Sequence, residues 1–491
     1  MPLDARSCYR ALRARDRRFD GTFFVAVRTT GIYCRPICPA RTPAADRCSF
    51  FAHAAEAERE GYRACFRCRP ELAPGLAPVD STPRLVRHAV AEIDSGSLDE
   101  RSIDALAGDL GVTARHLRRA METELGVSPV EYAQTKRLAL AKQLLHDTSL
   151  PLADVAFASG FGSIRRFNAL FKKTFSRAPS EVRRNHHAPA HEANGAGAIT
   201  LRLDYRPPFA FDEALAFLAL RAIRGVEVVG DGSYRRTVRI GDATGSLEVR
   251  QASGDVPALV AHVSMSLAAR LTTIVAKLRT LFDLDAQPEV VRDHLAADPK
   301  LARLVGERPG LRLPGSFDTF EMAVRAVLGQ QVSVKGATTL CARLVTAFGD
   351  PVPQDAGLAA ELTSFFPTAA ALARVPVARM REIGLPEARA RTIIELARAV
   401  ASGRIDLSGR AAPEETIAAL QGLPGIGPWT AHYLAMRAMH WPDAFPAGDL
   451  GVKKALGLKS ERETEARAER WRPWRAYAVM HLWGSLAEGG L

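Results

Sequence analysis

The 491-residue chain is poor in cysteine. Six of its seven (Cys8, Cys34, Cys38, Cys48, Cys65 and Cys68) precede residue 80, and Cys341 alone follows. So few thiols, so unevenly placed, do not make an exported disulfide scaffold. No apolar run approaches the roughly 20 residues that cross a bilayer, which excludes an integral membrane protein. The Arg-rich first 20 residues have no apolar signal-peptide core. A cytoplasmic, nucleoid-associated location with reduced thiols is therefore expected. Acidic residues are the minority: 54 Asp/Glu against 66 Lys/Arg leave a net charge of +12. That excess points to a polyanion, nucleic acid before a membrane surface. A membrane-surface role fails for want of a basic amphipathic anchor. With 47% hydrophobic and 24% charged residues the composition is soluble and globular. The length suggests roughly three or four domains of about 150 residues each.

The charge is uneven. Residues 1–185 carry 30 Lys/Arg and 21 Asp/Glu, and the remainder 36 and 33. Glu71–Pro83 and His186–Ala198 (HHAPAHEANGAGA) read as linkers, and RPGLRLPG near Gly310–Gly315 as a softer boundary. Gly21–Tyr33 has strand composition, residues 84–183 are helical, 199–250 hold short strand runs, and 316–491 return to helical periodicity. The expected domains are 1–78, 83–185, a linker at 186–198, 199–312 and 313–491. The expected fold class is multidomain and mainly α with α+β parts.

Cys34-x3-Cys38 and Cys65-x2-Cys68 are two close pairs in a reducing compartment, the pattern of a tetrahedral four-thiolate zinc site. Spacing alone favours a structural zinc over a reactive one, and Cys8 and Cys48 read as packing residues. The words around the pairs, FFVAVRTTGIYCRPICPARTP and GYRACFRCRP, resemble the N-terminal zinc domain of Ada adaptive-response proteins over about residues 5–75. That resemblance implies that a zinc-held thiolate irreversibly accepts a methyl group from a DNA methylphosphotriester. By motif position the acceptor is Cys34, with Cys38, Cys65 and Cys68 as co-ligands of one Zn²⁺. Zinc keeps sulfur in its nucleophilic, deprotonated form.

Ile103, Leu106, Ala107 and Leu110 recur at helical spacing before Gly111-Val112, and Leu117, Met121 and Leu125 continue on a second helix. About 50 residues on, Val155 and Ala156 precede Gly160-Phe161 and then Phe167, Phe171 and Phe175. Two helix-turn-helix copies are a stronger signal than one. Arg115, His116, Arg118 and Arg119 lie on the first candidate recognition helix; Arg165, Arg166, Asn168 and Lys172 lie on the second. Each of these could equally be a solvated helix face. The segment resembles AraC-type DNA-binding domains, implying promoter DNA and RNA polymerase as partners. No Pro-Cys-His-Arg motif occurs, so O6-alkylguanine repair is not implied.

Leu423-Pro-Gly-Ile-Gly-Pro-Trp-Thr-Ala431 has the form of a helix-hairpin-helix, in which Gly425 and Gly427 let backbone amides approach a DNA phosphate. Asp449 follows in FPAGDLGVKKALG. Together with VRAVLGQQVSVKGA and ERWRPWRAYAVMHLW, these words resemble the AlkA-like 3-methyladenine DNA glycosylases II over about residues 199–491. That implies excision of alkylated purines, Asp449 as the group that stabilises the sugar cation, and Trp429, Tyr433 and Trp483 as a pocket for the flipped base. Gln331 stands at the wedge position, where the family carries leucine. Leu450 and Gly484 replace rings. The position of a lyase lysine is Trp429, so strand cleavage is not expected, and without a cysteine after Cys341 no iron–sulfur cluster is expected. Together these resemblances imply an alkylation sensor fused to a monofunctional glycosylase acting on damaged duplex DNA. The alternative is a transcription factor whose C-terminal module binds DNA without catalysis.

Overall fold

The computed structural model describes residues 4–75, 84–184, 198–254, 256–353, 359–409 and 412–487. It divides into two compact units. One comprises residues 1–207, 252–279 and 284–287, and the other 208–251, 280–283 and 288–491.

In the first unit, FVAV at Phe24–Val27 forms the second strand of a four-stranded sheet, antiparallel to Cys48–Phe51 on one side and Ile32–Cys34 on the other. Gly31, at φ +64°, supplies the left-handed turn residue that returns the chain after Val27. The short strand Arg63–Ala64 then pairs parallel to Ile32–Cys34 with Tyr33 opposite Ala64, and the Cys65 N–H donates to the Tyr33 carbonyl at 3.0 Å. This register puts Cys34 and Cys65 side by side at the ends of adjacent strands. Of the expected linker at 71–83, the first residues belong to the fold. Leu72 is buried, and Glu71 accepts from the buried Lys142 at 2.8 Å. Residues 76–83 lie outside the described residues, as does nearly all of the expected linker at 186–198.

The helical stretch follows its apolar periodicity. Ile103–Asp109 and Ala114–Leu125 bury Leu106, Ala107, Leu117, Met121 and Leu125. Leu152–Ala158 and Ile164–Phe175 bury Val155, Ala156, Phe167, Phe171 and Phe175. The last three rings pack edge-to-face and tilted along one face at centroid separations of 5.6 and 4.5 Å. Thr113 and Ser163 cap the two second helices through their side-chain oxygens. Pro129 and Pro179 each start the following helix at its first position, where the missing N–H costs nothing. Ala198–Asp204 pairs antiparallel with Ala258–Ser264 in the same unit.

The second unit contains the antiparallel meander Glu227–Gly230, Ser233–Ile240 and Ala243–Gln251. Its first turn is Asp231-Gly232, both at positive φ, the pair that a tight hairpin favours. Beyond it the unit is helical. Thr319–Leu328 packs on Glu387–Ala401 and Pro428–Arg437 through residues such as Val324, Val327, Ile393, Ala431 and Leu434. A buried ion network ties meander to helix: Arg236 donates to Glu321 at 2.7 Å, and Arg325 binds both Glu227 and Glu321.

Candidate zinc centre and base-excision pocket

The four sulfurs of Cys34, Cys38, Cys65 and Cys68 lie within 4.8 Å of one another. Zn–S bonds of about 2.3 Å in a tetrahedron separate sulfurs by about 3.8 Å, so the cluster is the size of a four-thiolate zinc site. Its all-sulfur donor set suits a thiophilic Zn²⁺. Cys38, Cys65 and Cys68 are buried; Cys34 is the partly exposed member. Backbone N–H groups point at two sulfurs, Arg35 to Cys68 and Arg67 to Cys65, each at 3.4 Å. Such outer bonds spread thiolate charge and fix the ligands.

Two anchors around the cluster carry no sequence signal. Arg35, directly after Cys34 and 3% exposed, binds Asp20 on one side and donates to Asp204 at 2.9 Å on the other. The fully buried Lys142 donates to the Cys65 carbonyl at 2.8 Å. Cys8 packs in the apolar cluster with Phe23 and Val25, and Cys48 lies against it.

Arg115, His116, Arg118 and Arg119 are exposed on Ala114–Leu125, opposite its buried face. Arg165, Arg166, Asn168 and Lys172 are likewise exposed on Ile164–Phe175. Amphipathicity alone produces this segregation: the apolar stripe is spent on the core and the basic residues are left outward.

In the second unit, Pro413–Gln421 and Pro428–Arg437 flank the hairpin. Gly425 sits at φ +87°, and a Cβ there would meet Thr392 Oγ1 at 2.1 Å. Around Gly427, by contrast, a Cβ would meet nothing within 4 Å, and no side chain caps the helix that Gly427 begins. The hairpin thus presents an open, uncapped helix N-terminus, a ready anion site. Gln330 Nε2 donates to the Gly425 carbonyl at 2.9 Å and to Thr430 Oγ1 at 3.0 Å. That ties the turn after Thr319–Leu328 to the hairpin. Gln331 follows on this turn, exposed and at φ +56°.

Asp449 caps Leu450–Leu456 and is 8% exposed. Its Oδ1 accepts from Val452 N at 2.8 Å and Trp483 Nε1 at 2.9 Å, and its Oδ2 from Trp429 Nε1 at 2.9 Å. The helix cap and the residue expected to be the reactive group are thus the same. Trp429 and Tyr433, one helical turn apart, stack at 5.2 Å with an interplanar angle of 14°, and Trp483 lies 6.3 Å from Tyr433. The three aromatics and Asp449 form one cluster. Sequence reading assigned the tryptophans to stacking and missed that both indoles hold the carboxylate. Leu450 is 79% exposed beside it, and a side chain at Gly484 would collide with Arg308 Nη1 at 1.6 Å.

Four known families match successive parts of the chain. They are the metal-binding domain of Ada (residues 7–71), a helix-turn-helix domain (106–185), the AlkA N-terminal domain (200–318), and the HhH-GPD superfamily of base excision DNA repair proteins (324–476). The probable bifunctional transcriptional activator/DNA repair enzyme AlkA of Mycobacterium tuberculosis is 42% identical over 98% of this chain and 97% of its own length. DNA-3-methyladenine glycosylase 2 of Escherichia coli is 36% identical over 57% of this chain and 95% of its own. Among solved structures, a 3-methyladenine DNA-glycosylase from Archaeoglobus fulgidus superimposes with a TM-score of 0.52 at 24% identity, covering 59% of this chain and 99% of that one. Zinc-binding, helix-turn-helix and base-excision modules thus follow one another along the chain, and with 42% identity to a relative over nearly its whole length the chain belongs to the family of bifunctional transcriptional activator/DNA repair enzymes of the AlkA type.

Proposed function

We propose that the chain excises alkylated purines of the 3-methyladenine type from duplex DNA as a monofunctional glycosylase, and that its N-terminal part senses methylphosphotriesters and regulates transcription. The observation that carries the excision reading is the Asp449 carboxylate, held by two indole N–H groups at the edge of the aromatic cluster. Oδ1 accepts two hydrogen bonds and Oδ2 one, so Oδ2 keeps a lone pair for the sugar. As the glycosidic bond stretches, C1′ gains positive charge. A fixed carboxylate stabilises it and aligns the attacking water. The base stacks among Trp429, Tyr433 and Trp483, the hairpin amides of Gly425 and Gly427 take the DNA backbone, and Gln331 enters the gap. With Trp429 at the lysine position, the product is an intact abasic strand.

At the zinc centre, Cys34 takes the methyl group. As a residue it is partly exposed where the other three are buried, and those three stay as ligands. The sulfur–carbon bond forms as the phosphotriester C–O bond breaks, leaving a phosphodiester anion. Four thiolates and Zn²⁺ sum to −2, and methylation of one leaves −1. Less negative charge at a DNA-facing surface raises DNA affinity. The two basic helices then read promoter DNA, with RNA polymerase recruited beside a nucleoid-bound activator. We assign the zinc module to residues 1–78, the paired helix-turn-helix to 83–185 and the glycosylase to 199–312 with 313–491.

Single-turnover excision from a 3-methyladenine duplex tests the enzyme reading, comparing wild type with Asp449→Asn. One preorganised electrostatic contact is worth about 10²–10³ in rate. An Asn variant as fast as wild type would instead make the C-terminal module a DNA-binding scaffold.

A further inference from the structure

The strand Ala198–Asp204 falls by sequence at the start of the AlkA N-terminal domain (200–318), yet it folds in the first compact unit with the zinc module and the paired helices. Its last residue, Asp204, is 3% exposed, and its Oδ2 accepts from Arg35 Nη1 at 2.9 Å. Arg35 is the residue after Cys34. Its Nε donates to Asp20 Oδ1 at 2.8 Å and its Nη2 pairs with Asp20 Oδ2, a two-point grip that leaves Nη1 as the remaining corner of the guanidinium. The zinc module offers that corner the Cys68 carbonyl at 3.3 Å; the carboxylate comes from Asp204. Arg202, two positions back on the strand, donates to both oxygens of Asp204 at 2.7 and 3.1 Å, so two arginines balance two aspartates. Other bonds hold the strand in place. Arg206, 1% exposed, donates to the carbonyls of Asp20 at 2.8 Å and Gly75 at 2.6 Å. Gln143 donates to the Arg202 carbonyl at 2.8 Å, beside the Lys142 that holds the Cys65 carbonyl. A buried ion pair is an inefficient way to add stability but an effective way to fix a direction.

We propose that Asp204 is a positioning residue of the methyl-accepting centre: through Arg35 it sets the direction of Cys34, so the zinc module is a complete sensor only with the strand that opens the glycosylase part in place. The inference rests on the methyl-acceptor reading above. The Arg35 N–H donates to Cys68 Sγ at 3.4 Å, so one residue grips two carboxylates with its side chain and a zinc ligand with its backbone. The peptide plane between Cys34 and Arg35 is thereby held from both ends. In the transfer, a sulfur lone pair attacks the methyl carbon opposite the departing phosphate oxygen. The sulfur–carbon bond forms, the carbon–oxygen pair leaves with the phosphodiester anion, and no proton moves. Such an in-line displacement depends on aim, and a misplacement of about 1 Å costs on the order of 10²-fold. Without Asp204, Nη1 keeps the long bond to the Cys68 carbonyl and the aim of Cys34 loosens.

The test follows single-turnover methylation of Cys34 by methylphosphotriester duplex DNA, with full-length wild type, Asp204→Asn, Arg35→Met and the double variant. Asp204→Asn should lower the maximal rate by about tenfold, part of the cost of lost aim, and leave the half-saturating DNA concentration unchanged. In the Arg35→Met background Asp204→Asn should add no further slowing, because the residue acts through Arg35. A second readout needs no DNA. In the Co²⁺-loaded protein the thiolate-to-metal absorption band should move to longer wavelength in Asp204→Asn, as the N–H bond to Cys68 Sγ weakens. Zinc should stay near one per chain. Methylation at the wild-type rate, an unshifted band, or equal slowing in both backgrounds overturns the inference and leaves the methyl-acceptor reading standing. Zinc lost from Asp204→Asn overturns it too, since the bridge then only supports the fold. A wild type that takes no methyl group on Cys34 overturns the acceptor reading itself, and this inference with it.

Discussion

Trp429 and Asp449 are joined by a hydrogen bond from the indole Nε1 to carboxylate Oδ2 at 2.9 Å, while the same indole stacks on Tyr433. One side chain therefore belongs both to the proposed base pocket and to the support of the carboxylate proposed to face the sugar. Trp429→Phe separates the two roles, because phenylalanine retains the ring and loses the donor. A hydrogen bond to a charged group is worth about 1.5–3 kcal/mol, which corresponds to roughly 10- to 100-fold in rate if the bond serves to aim Oδ2. We expect excision by the Phe variant to slow by that factor, with affinity for abasic-site duplex unchanged. Single-turnover kinetics and fluorescence anisotropy measure the two. A Phe variant as fast as wild type would show that Trp429 acts by stacking alone.

The same geometry makes Asp449→Asn a less innocent substitution than its shape suggests. Asparagine is as good a helix cap as aspartate, so the bond from Val452 N survives. With its oxygen kept toward Val452 and Trp483, its NH₂ faces the Trp429 N–H, donor against donor. We expect the Asn variant to lose about 1–3 kcal/mol of stability, the cost of a buried polar group left unsatisfied. Adding Trp429→Phe should relieve part of that loss. A double-mutant cycle by chemical denaturation measures the coupling, and strictly additive effects would remove the indole from the account.

What the sequence revealed and what it hid divide by distance along the chain. Cys34 and Cys38, or Leu117, Met121 and Leu125, declare themselves through spacing, because neighbours on one turn or helix face have fixed separations. Asp449 and the hairpin glycines were legible as words. The bond between Trp483 and Asp449 spans 34 positions, and the pairing of Arg35 with Asp204 spans 169. No local periodicity encodes such pairs, since they arise only when elements pack.

The register of Tyr33 opposite Ala64 leads to a prediction about the zinc centre. Because it aligns the two cysteine pairs, losing either pair should release the metal and loosen the small sheet. Zinc measured by atomic absorption should be near one per chain in wild type and near zero after Cys65→Ser with Cys68→Ser. Incubation with methylphosphotriester DNA should place one methyl group on Cys34, located by peptide mass spectrometry. A methyl group found on Cys38, Cys65 or Cys68 would defeat the acceptor assignment.

The last prediction concerns acid sensitivity. His481 is 5% exposed on the helix that carries Trp483, and burial, with Arg308 nearby, lowers it from 6.5 to about 4. His53 in the first unit is lowered to about 4 in the same way, by burial and by Lys136. Each is neutral in the folded state while its unfolded counterpart takes up a proton below about 6.5. The unfolded chain therefore binds more protons across that window, so stability is fully present above pH 6.5 and declines as the pH falls toward 4. For the deeply buried His481 the full shift corresponds to about 3 kcal/mol. The carboxylates act lower. Burial would raise Glu227, but Arg325 and Arg236 outweigh it and hold Glu227 at about 2, so its contribution is lost only between about 4.5 and 2. Urea denaturation at pH 7, 5.5 and 4.5 should show midpoints falling steadily, and His481→Gln should flatten the slope for the second unit. An unchanged slope in that variant would mean that His481 does not titrate between the two states, and the acid sensitivity would have to arise elsewhere.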